Sequence, residues 1–329
     1  MDLNLNMRRI LIFKTDRVGD LINITPVINN IKLNNKDCDI DLICSEYNSQ
    51  IAKYLSDIKN IYVYKKSLFN FIFNNFKNIF FTKYDAIFQL DGKNHSFFLT
   101  LLFTSPLKYS LKFIKEKKIF SKFYSISRPN FIYQNFIKTI DCYENYNLDD
   151  NKSYHYLSLY LNLLENAKLK ILDKKHNLKF KPSKKIVKFE NNYVLIHLDE
   201  KWLPLGSSIK NNLIIFLSSL SIENNIVITS NLGKNDLFTN IYNNFYNNKK
   251  FEFIKSPNFD EIMSIVYFSH TCISSHSGFI VHLAACYNKK VVDIVSPKIF
   301  NELDRWIPYD ISYKRYDIHY IDKIILNNN

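Results

Sequence analysis

The chain of 329 residues is longer than one ordinary hydrophobic core and suits two domains of roughly 150 residues each. Hydrophobic residues make up 47% of it and aromatic residues 16%, which excludes a disordered chain and supplies material for two cores. The formal net charge of +13 indicates anionic partners only weakly, because Lys, Asn, Ile, Tyr and Phe are abundant while Gly occurs five times, a composition typical of an AT-rich genome.

The cysteines and the apolar runs of the sequence indicate the compartment in which the protein is located. The five cysteines contain no C-x-x-C pair and are odd in number, which argues against a disulfide framework and a zinc knuckle. The apolar run at residues 97–103 ends at Ser105-Pro106, well short of the ~18 apolar residues that a spanning helix needs. We therefore expect a cytoplasmic chain in which no segment crosses a membrane.

The first half of the chain alternates strand-like and helix-like segments. An apolar run at residues 10–13 predicts a buried parallel strand, a loop containing Gly19 follows, and residues 20–33 have a helical pattern. Further strands are predicted at 38–44, 61–64 and 84–90, and helices at 47–55 and 154–165. Between residues 115 and 151 the pattern blurs into polar and aromatic residues.

A second series of alternating segments follows a Lys-rich stretch at residues 168–190, which we interpret as a linker. The predicted domains are residues 1–180 and 181–329. Strands are predicted at 193–198, 226–229, 251–254, 271–274 and 291–295, and helices at 209–220, 235–245, 259–269 and 278–286. This alternation predicts an α/β protein with two doubly wound, Rossmann-like parallel sheets.

The first stretch with a chemical signature is Lys14-Thr15-Asp16-Arg17-Val18-Gly19-Asp20. It follows the first strand, and open α/β sheets bind their ligands at the carboxyl ends of their strands. Asp20 would stand at the start of a helix, where its charge suits the helix dipole. An Asp that only caps the helix fits the local pattern equally well.

A second such stretch is the turn Ser274-Ser275-His276-Ser277-Gly278 between a strand and a helix. Free backbone N–H groups at such a helix start bind phosphate, Ser277 could cap the helix, and Gly278 would let an anion approach closely. A Ser-capped core helix is the alternative. His270, His276 and His282 recur every six residues, but that spacing crosses strand, loop and helix and does not favour a metal site.

The third stretch, residues 197–202, follows the strand that opens the second half. Lys201 at this strand end could reach a diphosphate, while Trp202 could stack on a ligand or simply fill the loop. An exposed surface lysine is the alternative for Lys201.

Taken in order, these stretches resemble glycosyltransferase family 9, the heptosyltransferase family of lipopolysaccharide synthesis. Lys14-Thr15 and Gly19-Asp20, followed by Thr25-Pro26, are similar to the family's N-terminal signature and are the strongest part of the resemblance. Residues 84–91 are similar to the strand before its acceptor-side loop, and Lys201-Trp202 to the segment whose Lys contacts donor phosphates. Ser277-Gly278 with His282-Leu283-Ala284-Ala285 resembles the C-terminal donor block.

Three departures from the family pattern concern the donor side. His276 stands where the family has an acidic residue, the gap from Gly278 to His282 is one residue longer, and the turn Thr229-Ser230-Asn231 lacks a glycine. These departures bear on the sugar and the base of the donor rather than on the fold.

The resemblance implies a GT-B fold, in which two Rossmann-like domains face each other across a cleft. It implies an inverting, metal-independent transferase without a cofactor, whose donor is a nucleoside diphosphate sugar such as ADP-heptose and whose acceptor is a lipid-linked or lipopolysaccharide-core glycan. Asp20 would be the catalytic base. The implied acceptor-side residues are Lys14, Arg17, Gly19, Asp91 and Lys93, and the implied donor-binding residues are Lys201, Thr229, Ser230, His276, Ser277, Gly278 and His282.

Other interpretations remain open beside this one. The chain could be a non-catalytic nucleotide-sugar-binding homologue, or a transferase of the same fold with a different donor. A nucleic-acid-binding protein is disfavoured because the lysines are spread along the chain and no reader motif occurs.

We also expect peripheral contact with the anionic inner membrane through a lysine row interleaved with aromatic residues, although a solvated edge strand would have the same pattern. This row comprises Lys108, Lys112, Lys115, Lys117 and Lys118 with Tyr109, Phe113 and Phe120.

Overall fold

The chain forms two compact units, Met1–Lys179 (unit 1) and Phe180–Asn329 (unit 2). The structure is a computed structural model that describes residues 7–119, 122–128, 136–143, 155–183, 186–190, 192–202, 207–231, 236–309 and 311–324. Each unit has its own largely parallel sheet, which confirms the predicted α/β class with two doubly wound halves. Over the part of the chain that is described, no helix combines the length and apolar character needed to cross a bilayer.

The sheet of unit 1 has the order β3-β2-β1-β4-β5, with β6 antiparallel and β7 parallel to β5. Its strands are β1 (Arg9–Lys14), β2 (Asp39–Ser45), β3 (Ile58–Tyr64), β4 (Ala86–Gln89), β5 (Leu107–Ile119), β6 (Lys122–Arg128) and β7 (Lys138–Tyr143). The helices of this unit are α1 (Val18–Ile22), α2 (Thr25–Asn34), α3 (Ser49–Ala52), α4 (Leu68–Asn74), α5 (Phe76–Phe81), α6 (Asn94–Leu102) and α7 (Tyr156–Asn166).

The sheet of unit 2 has the order β10-β9-β8-β11-β12-β13, with every pairing parallel. Its strands are β8 (Tyr193–Leu198), β9 (Asn225–Ser230), β10 (Phe251–Lys255), β11 (Ser269–Ser274), β12 (Lys290–Val295) and β13 (Tyr313–Asp317). The helices of this unit are α8 (Ser207–Glu223), α9 (Asp236–Phe245), α10 (Phe259–Phe268), α11 (Gly278–Cys286) and α12 (Phe300–Leu303).

In both sheets the strand order reverses next to the first strand. In unit 1 the reversal lies between β1 and β4, and in unit 2 it lies between β8 and β11. All six residues of β8 are buried, as expected for a central strand covered on both faces. The carboxyl ends of these strand pairs are the places where open α/β sheets bind ligands.

The single helix predicted at residues 20–33 is two helices in the structure. α1 ends at Ile22 and α2 begins at Thr25, with Pro26 in its first turn. Pro26 has no N–H to donate to the carbonyl of Ile22, so the helix cannot run through this point. Similarly, the helix predicted at residues 47–55 shrinks to the four residues of α3.

The linker predicted at residues 168–190 is only partly a linker. Buried Asn30 in α2 donates to the carbonyl of Asp173 at 2.5 Å and accepts from the N–H of Asp173 at 3.0 Å. Asn34 accepts from the N–H of Lys170 at 2.9 Å. The extended chain is therefore held against unit 1 before the division between the units after Lys179.

A buried carboxylate ties together the central strands of unit 1. Asp41 in β2 accepts hydrogen bonds from the Arg9 guanidinium at 2.8 Å, from Asn60 Nδ2 at 2.8 Å and from the Tyr84 hydroxyl at 2.8 Å. Its side chain is fully buried, so these donors replace the water that it would otherwise bind. Removal of this carboxylate would leave several donors unpaired at once.

Asp41→Ala should therefore lower the free energy of unfolding by about 3–5 kcal/mol. The matched control is Asp39→Ala in the same strand, because Asp39 pairs with Lys59 at 2.5 Å while 40% of its side chain is exposed. The control should cost no more than about 1 kcal/mol. Urea denaturation of both variants measures the difference, and equal losses would contradict a structural role for the buried network.

Candidate functional site

The loop after β1 and the loop after β4 meet at the carboxyl edge of unit 1 through Asp91. This carboxylate accepts from Thr15 N at 3.0 Å, Thr15 Oγ1 at 2.6 Å, Gln89 Nε2 at 2.6 Å and Ser96 Oγ at 2.7 Å. The Lys93 ammonium, at the start of α6, donates to the Thr15 carbonyl at 3.0 Å. Asp91 and Lys93, both predicted on the acceptor side, thus fix the two loops relative to each other.

The turn after Asp91 requires glycine. Gly92 has φ +59°, and a Cβ at this position would lie 1.9 Å from Cε2 of Phe113. Both the backbone conformation and the close ring exclude a side chain. The loop that carries Asp91 and Lys93 is therefore fixed by packing as well as by hydrogen bonds.

Lys14 is a fully buried cation at the end of β1. Its Nζ donates to Asp16 Oδ2 at 2.8 Å, to the Leu90 carbonyl at 3.1 Å and to the Tyr160 hydroxyl of α7 at 2.6 Å. Burial alone would lower the pKa of Lys14, but Asp16, Tyr160 and Asp20 together hold this pKa well above its usual value. Lys14 therefore stays charged and organises the residues around it.

Asp16, two residues after Lys14, is an aspartate with a strongly shifted pKa. Burial raises the pKa of Asp16 to about 7, and the charges of Asp20 and Asp91 add to that effect while Lys14 opposes it. Its Oδ1 is buried and has no hydrogen-bond partner among the described residues. No pattern in the sequence singles out Asp16, because the burial of its carboxyl and its closeness to Asp91 arise only in the fold.

Asp20, the predicted catalytic base, lies half-buried in the first turn of α1. It is near enough to Lys14, Asp16 and Tyr160 for its charge to act on all three. Gly19 is buried in the same short helix, and exposed Arg17 stands at the N-cap position without a capping hydrogen bond. The structure thus brings together Lys14, Asp16, Gly19 and Asp20, and leaves the Arg17 side chain at the surface.

In unit 2 the turn at residues 274–278 is built around a second buried carboxylate. Asp293 of β12 accepts from Ser274 Oγ at 2.8 Å, from the His276 N–H at 3.1 Å and from the Tyr313 hydroxyl at 2.7 Å. His276 Nδ1 lies 2.6 Å from Asp293 Oδ2. His276 has φ +56°, a conformation that a residue other than glycine adopts only when its surroundings compensate for the strain.

Lys201, in the short 3-10 turn that follows β8, reaches this turn. Its ammonium donates to the backbone carbonyl of His276, and its N–H donates to Asp199 Oδ1 at 3.1 Å. Burial raises the pKa of Asp199 to about 6, with Lys201 opposing the shift. Trp202 is fully buried with its Nε1 on the His197 carbonyl at 3.0 Å, so in this structure it fills the loop and is not available to stack on a ligand.

The helix α11 begins directly after this turn. Ser277 stands at its N-cap, but its side chain makes no capping hydrogen bond, and its N–H donates to Ser274 Oγ at 3.1 Å. A Cβ placed on Gly278 would have no heavy atom within 4 Å, so packing within the chain does not require glycine there. The helix start therefore has a small, open surface beside the Lys201 ammonium.

The other predicted donor-side residues are buried. Thr229 Oγ1, at the end of β9, lies 2.9 Å from Nδ1 of His197, and burial lowers the pKa of His197 to about 4. Ser230 is buried beside it. His282 is only 1% exposed within α11, so it supports the helix from inside rather than from the surface.

Two aromatic residues near this turn were not predicted from the sequence. Tyr313 donates to Asp293, and the ring of Trp306 lies 6.4 Å from that of His276. Both come from segments that follow β12, where no periodicity pointed to the site. Among the described residues, no three His, Cys, Asp or Glu side chains are placed to hold a metal ion.

The lysine row predicted to contact a membrane is only partly described. Lys108 is half-buried and donates to the Leu101 carbonyl at 3.3 Å, and Lys112 pairs with Asp141 at 3.4 Å. Both ammonium groups are thus engaged within the chain. The side chains of Lys115, Lys117 and Lys118 and the whole of Phe120 lie outside the described residues.

Comparison with solved structures identifies proteins of the same fold. A glycosyl transferase family 9 protein from Veillonella parvula is 12% identical, with a TM-score of 0.71, 100% of this chain and 92% of that chain covered. The ADP-heptose lipopolysaccharide heptosyltransferase II of E. coli is 11% identical, with a TM-score of 0.67 and coverage of 94% and 90%. The E. coli heptosyltransferase WaaC with ADP-2-deoxy-2-fluoro heptose is 14% identical, with a TM-score of 0.65 and coverage of 94% and 92%.

These likenesses define a GT-B fold of two Rossmann-like units, as predicted. The resemblance to glycosyltransferase family 9 is confirmed at the level of the fold, since a family 9 structure and two heptosyltransferases match almost the whole chain. No protein-family model matches the sequence, and no curated protein matches it.

The perturbed ionisation of Asp16 can be measured directly. In protein labelled with ¹³C at the aspartate carboxyl groups, the Asp16 resonance should titrate with a midpoint of about 7. Asp20→Asn should lower that midpoint, because it removes a negative charge that disfavours ionisation of Asp16. Asp16→Asn assigns the resonance. A midpoint near that of an ordinary aspartate would contradict the buried ion cluster around Lys14.

Proposed function

We propose that the chain is a glycosyltransferase that moves a sugar from a nucleoside diphosphate donor bound by unit 2 to a hydroxyl of an acceptor bound by unit 1. The observation that carries the proposal is the Lys201 ammonium on the His276 carbonyl, beside the start of α11. A cation and a helix N-terminus together suit a diphosphate. The fold shared with heptosyltransferases over nearly the full chain supports this interpretation.

On the donor side, the proposed role of Lys201 and the helix start is to stabilise the leaving group. The bond from the anomeric carbon to the diphosphate oxygen breaks, and the diphosphate leaves with the electron pair. Its growing negative charge is met by the Lys201 ammonium and the N–H groups of the first turn of α11, which begins at Gly278. These fixed charges supply the stabilisation that a metal ion provides in other enzymes, so we propose a metal-independent reaction.

On the acceptor side, Asp20 is the proposed general base. It takes the proton of the acceptor hydroxyl while that oxygen forms a bond to the anomeric carbon. A single displacement of this kind inverts the anomeric configuration. The position of Asp20 in α1, directly after the switch-point strand β1, supports this role.

The replacement of an acidic residue by His276 raises the alternative of a non-catalytic nucleotide-sugar binder. Here Asp293 supplies a buried carboxylate to the same turn from the neighbouring strand, and it holds both the N–H and the ring of His276. The turn is thus fixed without an acidic side chain at 276, which favours a working donor site. Catalysis and simple binding are separated by the Asp20 variant below.

The proposed donor is an ADP-linked heptose or a related sugar, and the proposed acceptor is a lipopolysaccharide-core or other lipid-linked glycan. The support for this donor is that two proteins of the same fold are described with ADP-heptose or its analogue. Thermal shift against a panel of nucleoside diphosphates would identify the base, because a ligand that binds the folded state raises the melting temperature by mass action. A transferase with another donor would respond to a different member of the panel.

Asp20→Asn should abolish transfer while leaving the fold and nucleoside diphosphate binding intact. The loss of a general base typically costs ~10²–10⁴ in rate. Turnover is measured as the release of nucleoside diphosphate in the presence of acceptor. The matched control is Asp37→Asn, a substitution of an exposed aspartate. Near-parental turnover of the Asp20 variant would remove Asp20 from the role of base.

Lys201→Ala should weaken nucleoside diphosphate binding roughly ten- to a hundredfold, since charge-assisted contacts are worth ~1.5–3 kcal/mol. Binding of the nucleoside without phosphates should hardly change. Isothermal titration of both ligands measures the difference, and Lys298→Ala, an exposed lysine after β12, is the control.

Gly278→Ala is a companion to the Lys201 variant at the other side of the same surface. It should leave stability unchanged because, among the described residues outside its own helix turn, no heavy atom lies within 4 Å of the added Cβ, yet it should weaken diphosphate binding by obstructing the helix start. Equal losses for nucleoside and nucleoside diphosphate in the Lys201 variant, with full binding in the Gly278 variant, would show that the diphosphate binds elsewhere.

A further inference from the structure

The segment between β3 and β4 has an unusual surface. Its helices α4 and α5 carry five exposed phenylalanines, which we call the phenylalanine surface: Phe69, Phe73, Phe76, Phe80 and Phe81. Phe69, Phe73 and Phe81 expose 78%, 74% and 75% of their area. Large exposed apolar patches on soluble proteins mark sites of interaction.

The phenylalanine surface is not needed for the core of unit 1. Phe71 of α4 and Ile79 of α5 are buried and pack with Leu11 and Phe13 of β1 in one cluster. These two side chains anchor the helices. Among the exposed rings, Phe76 lies 4.8 Å from Phe80 and 6.1 Å from Phe81, so part of the surface is a contiguous aromatic cluster.

The charged residues of this segment have one sign. Lys65, Lys66, Lys77 and Lys83 are all exposed, and residues 58–84 contain no Asp or Glu. Among the described residues, these four lysines make one ion pair, Lys65 with Glu46 at 3.6 Å, whose two side chains are each about 70% exposed, so the pair is weak. Aromatic rings surrounded by lysines are typical of surfaces that enter the headgroup region of anionic lipid.

A second copy of the chain fits this surface less well. A two-fold dimer would place the phenylalanine surface against itself and would bring the four lysines of each copy together. No carboxylate between residues 58 and 84 is present to offset that repulsion. An anionic bilayer supplies both the apolar depth for the rings and the counter-charge for the ammonium groups.

Helix α4, which carries part of the phenylalanine surface, is joined to the acceptor-side loop by ring contacts that start from its buried Phe71. The Phe71 ring lies 5.8 Å from that of Tyr64, which stacks on His95 at 4.4 Å. His95 Nε2 lies 3.0 Å from Thr15 Oγ1, and Thr15 belongs to the loop that leads to Asp20. Helix α4 also starts at the carboxyl edge of the sheet, the edge at which that loop lies.

We propose that the phenylalanine surface docks unit 1 onto an anionic phospholipid bilayer, with the exposed rings inserted at the level of the headgroups and the four lysines on the lipid phosphates. A bilayer-docked α4 would hold the acceptor-side loop close to a glycan whose lipid anchor lies in the same membrane. This second statement rests on the proposed function, whereas the docking itself does not.

Sedimentation of the full chain with vesicles tests the docking. We expect binding to phosphatidylcholine vesicles that contain phosphatidylglycerol, weaker binding to pure phosphatidylcholine, and release at high salt. The combined variant Phe69→Ser, Phe73→Ser and Phe81→Ser should bind anionic vesicles at least about tenfold more weakly. Lys66→Glu with Lys77→Glu should cause a loss of about tenfold on anionic vesicles only.

The matched control replaces three exposed apolar residues of unit 2, Ile215, Ile222 and Tyr246, by serine, and should bind vesicles like the parent. Parental binding by the phenylalanine variant would overturn the proposal. So would a parent that ignores vesicles but dimerises in analytical ultracentrifugation until the phenylalanines are replaced, which would assign the surface to a second copy. Nucleoside diphosphate binding, measured on the same variants, should be unchanged; its absence in the parent would refute the proposed function and leave the docking result intact.

Discussion

Two buried carboxylates, Asp91 and Asp293, fix the loops on which each candidate site depends. Asp91 follows β4, the neighbour of β1, and Asp293 lies in β12, the neighbour of β11. Each accepts several hydrogen bonds from the loop beside it. A buried carboxylate must be satisfied in this way, because an unpaired charge inside a protein is costly. The same requirement therefore fixes the position of Thr15 in unit 1 and, separately, that of His276 in unit 2.

Much of the fold follows from hydrophobic periodicity, and its failures have physical causes. The apolar runs within β1 and β8 and the helix α11 were predicted closely, since elements buried on all sides consist mainly of consecutive apolar residues. The strands β5 to β7 were missed because lysines and aromatic residues are mixed there. The break between α1 and α2 follows from Pro26, whose local effect outweighs the continuous helical pattern around it.

Residues of the candidate sites could be singled out from the sequence where they stand at the ends of predicted strands. Lys201 and the turn at 274–278 stood at predicted strand ends, and parallel pairing of β8 with β11 brings them together. Tyr160 and Asp293 could not be found in that way, because they lie inside α7 and β12, where no local pattern marks them as partners of Lys14 and His276. The perturbed Asp16 is of the same kind, since its pKa depends on burial and on Lys14, Asp20 and Asp91 taken together.

The two candidate sites also differ in how their cations are compensated. The Lys14 ammonium lies on the carboxylate of Asp16 with Asp20 close by, so its positive charge is offset by neighbouring carboxylates of unit 1. The Lys201 ammonium instead donates to a backbone carbonyl beside a helix N-terminus, so its positive charge is retained there. An anion is the ligand that such an edge stabilises. The partners of the two lysines thus support the proposed assignment of the diphosphate to unit 2, a difference between the units that the net charge of +13 does not reveal.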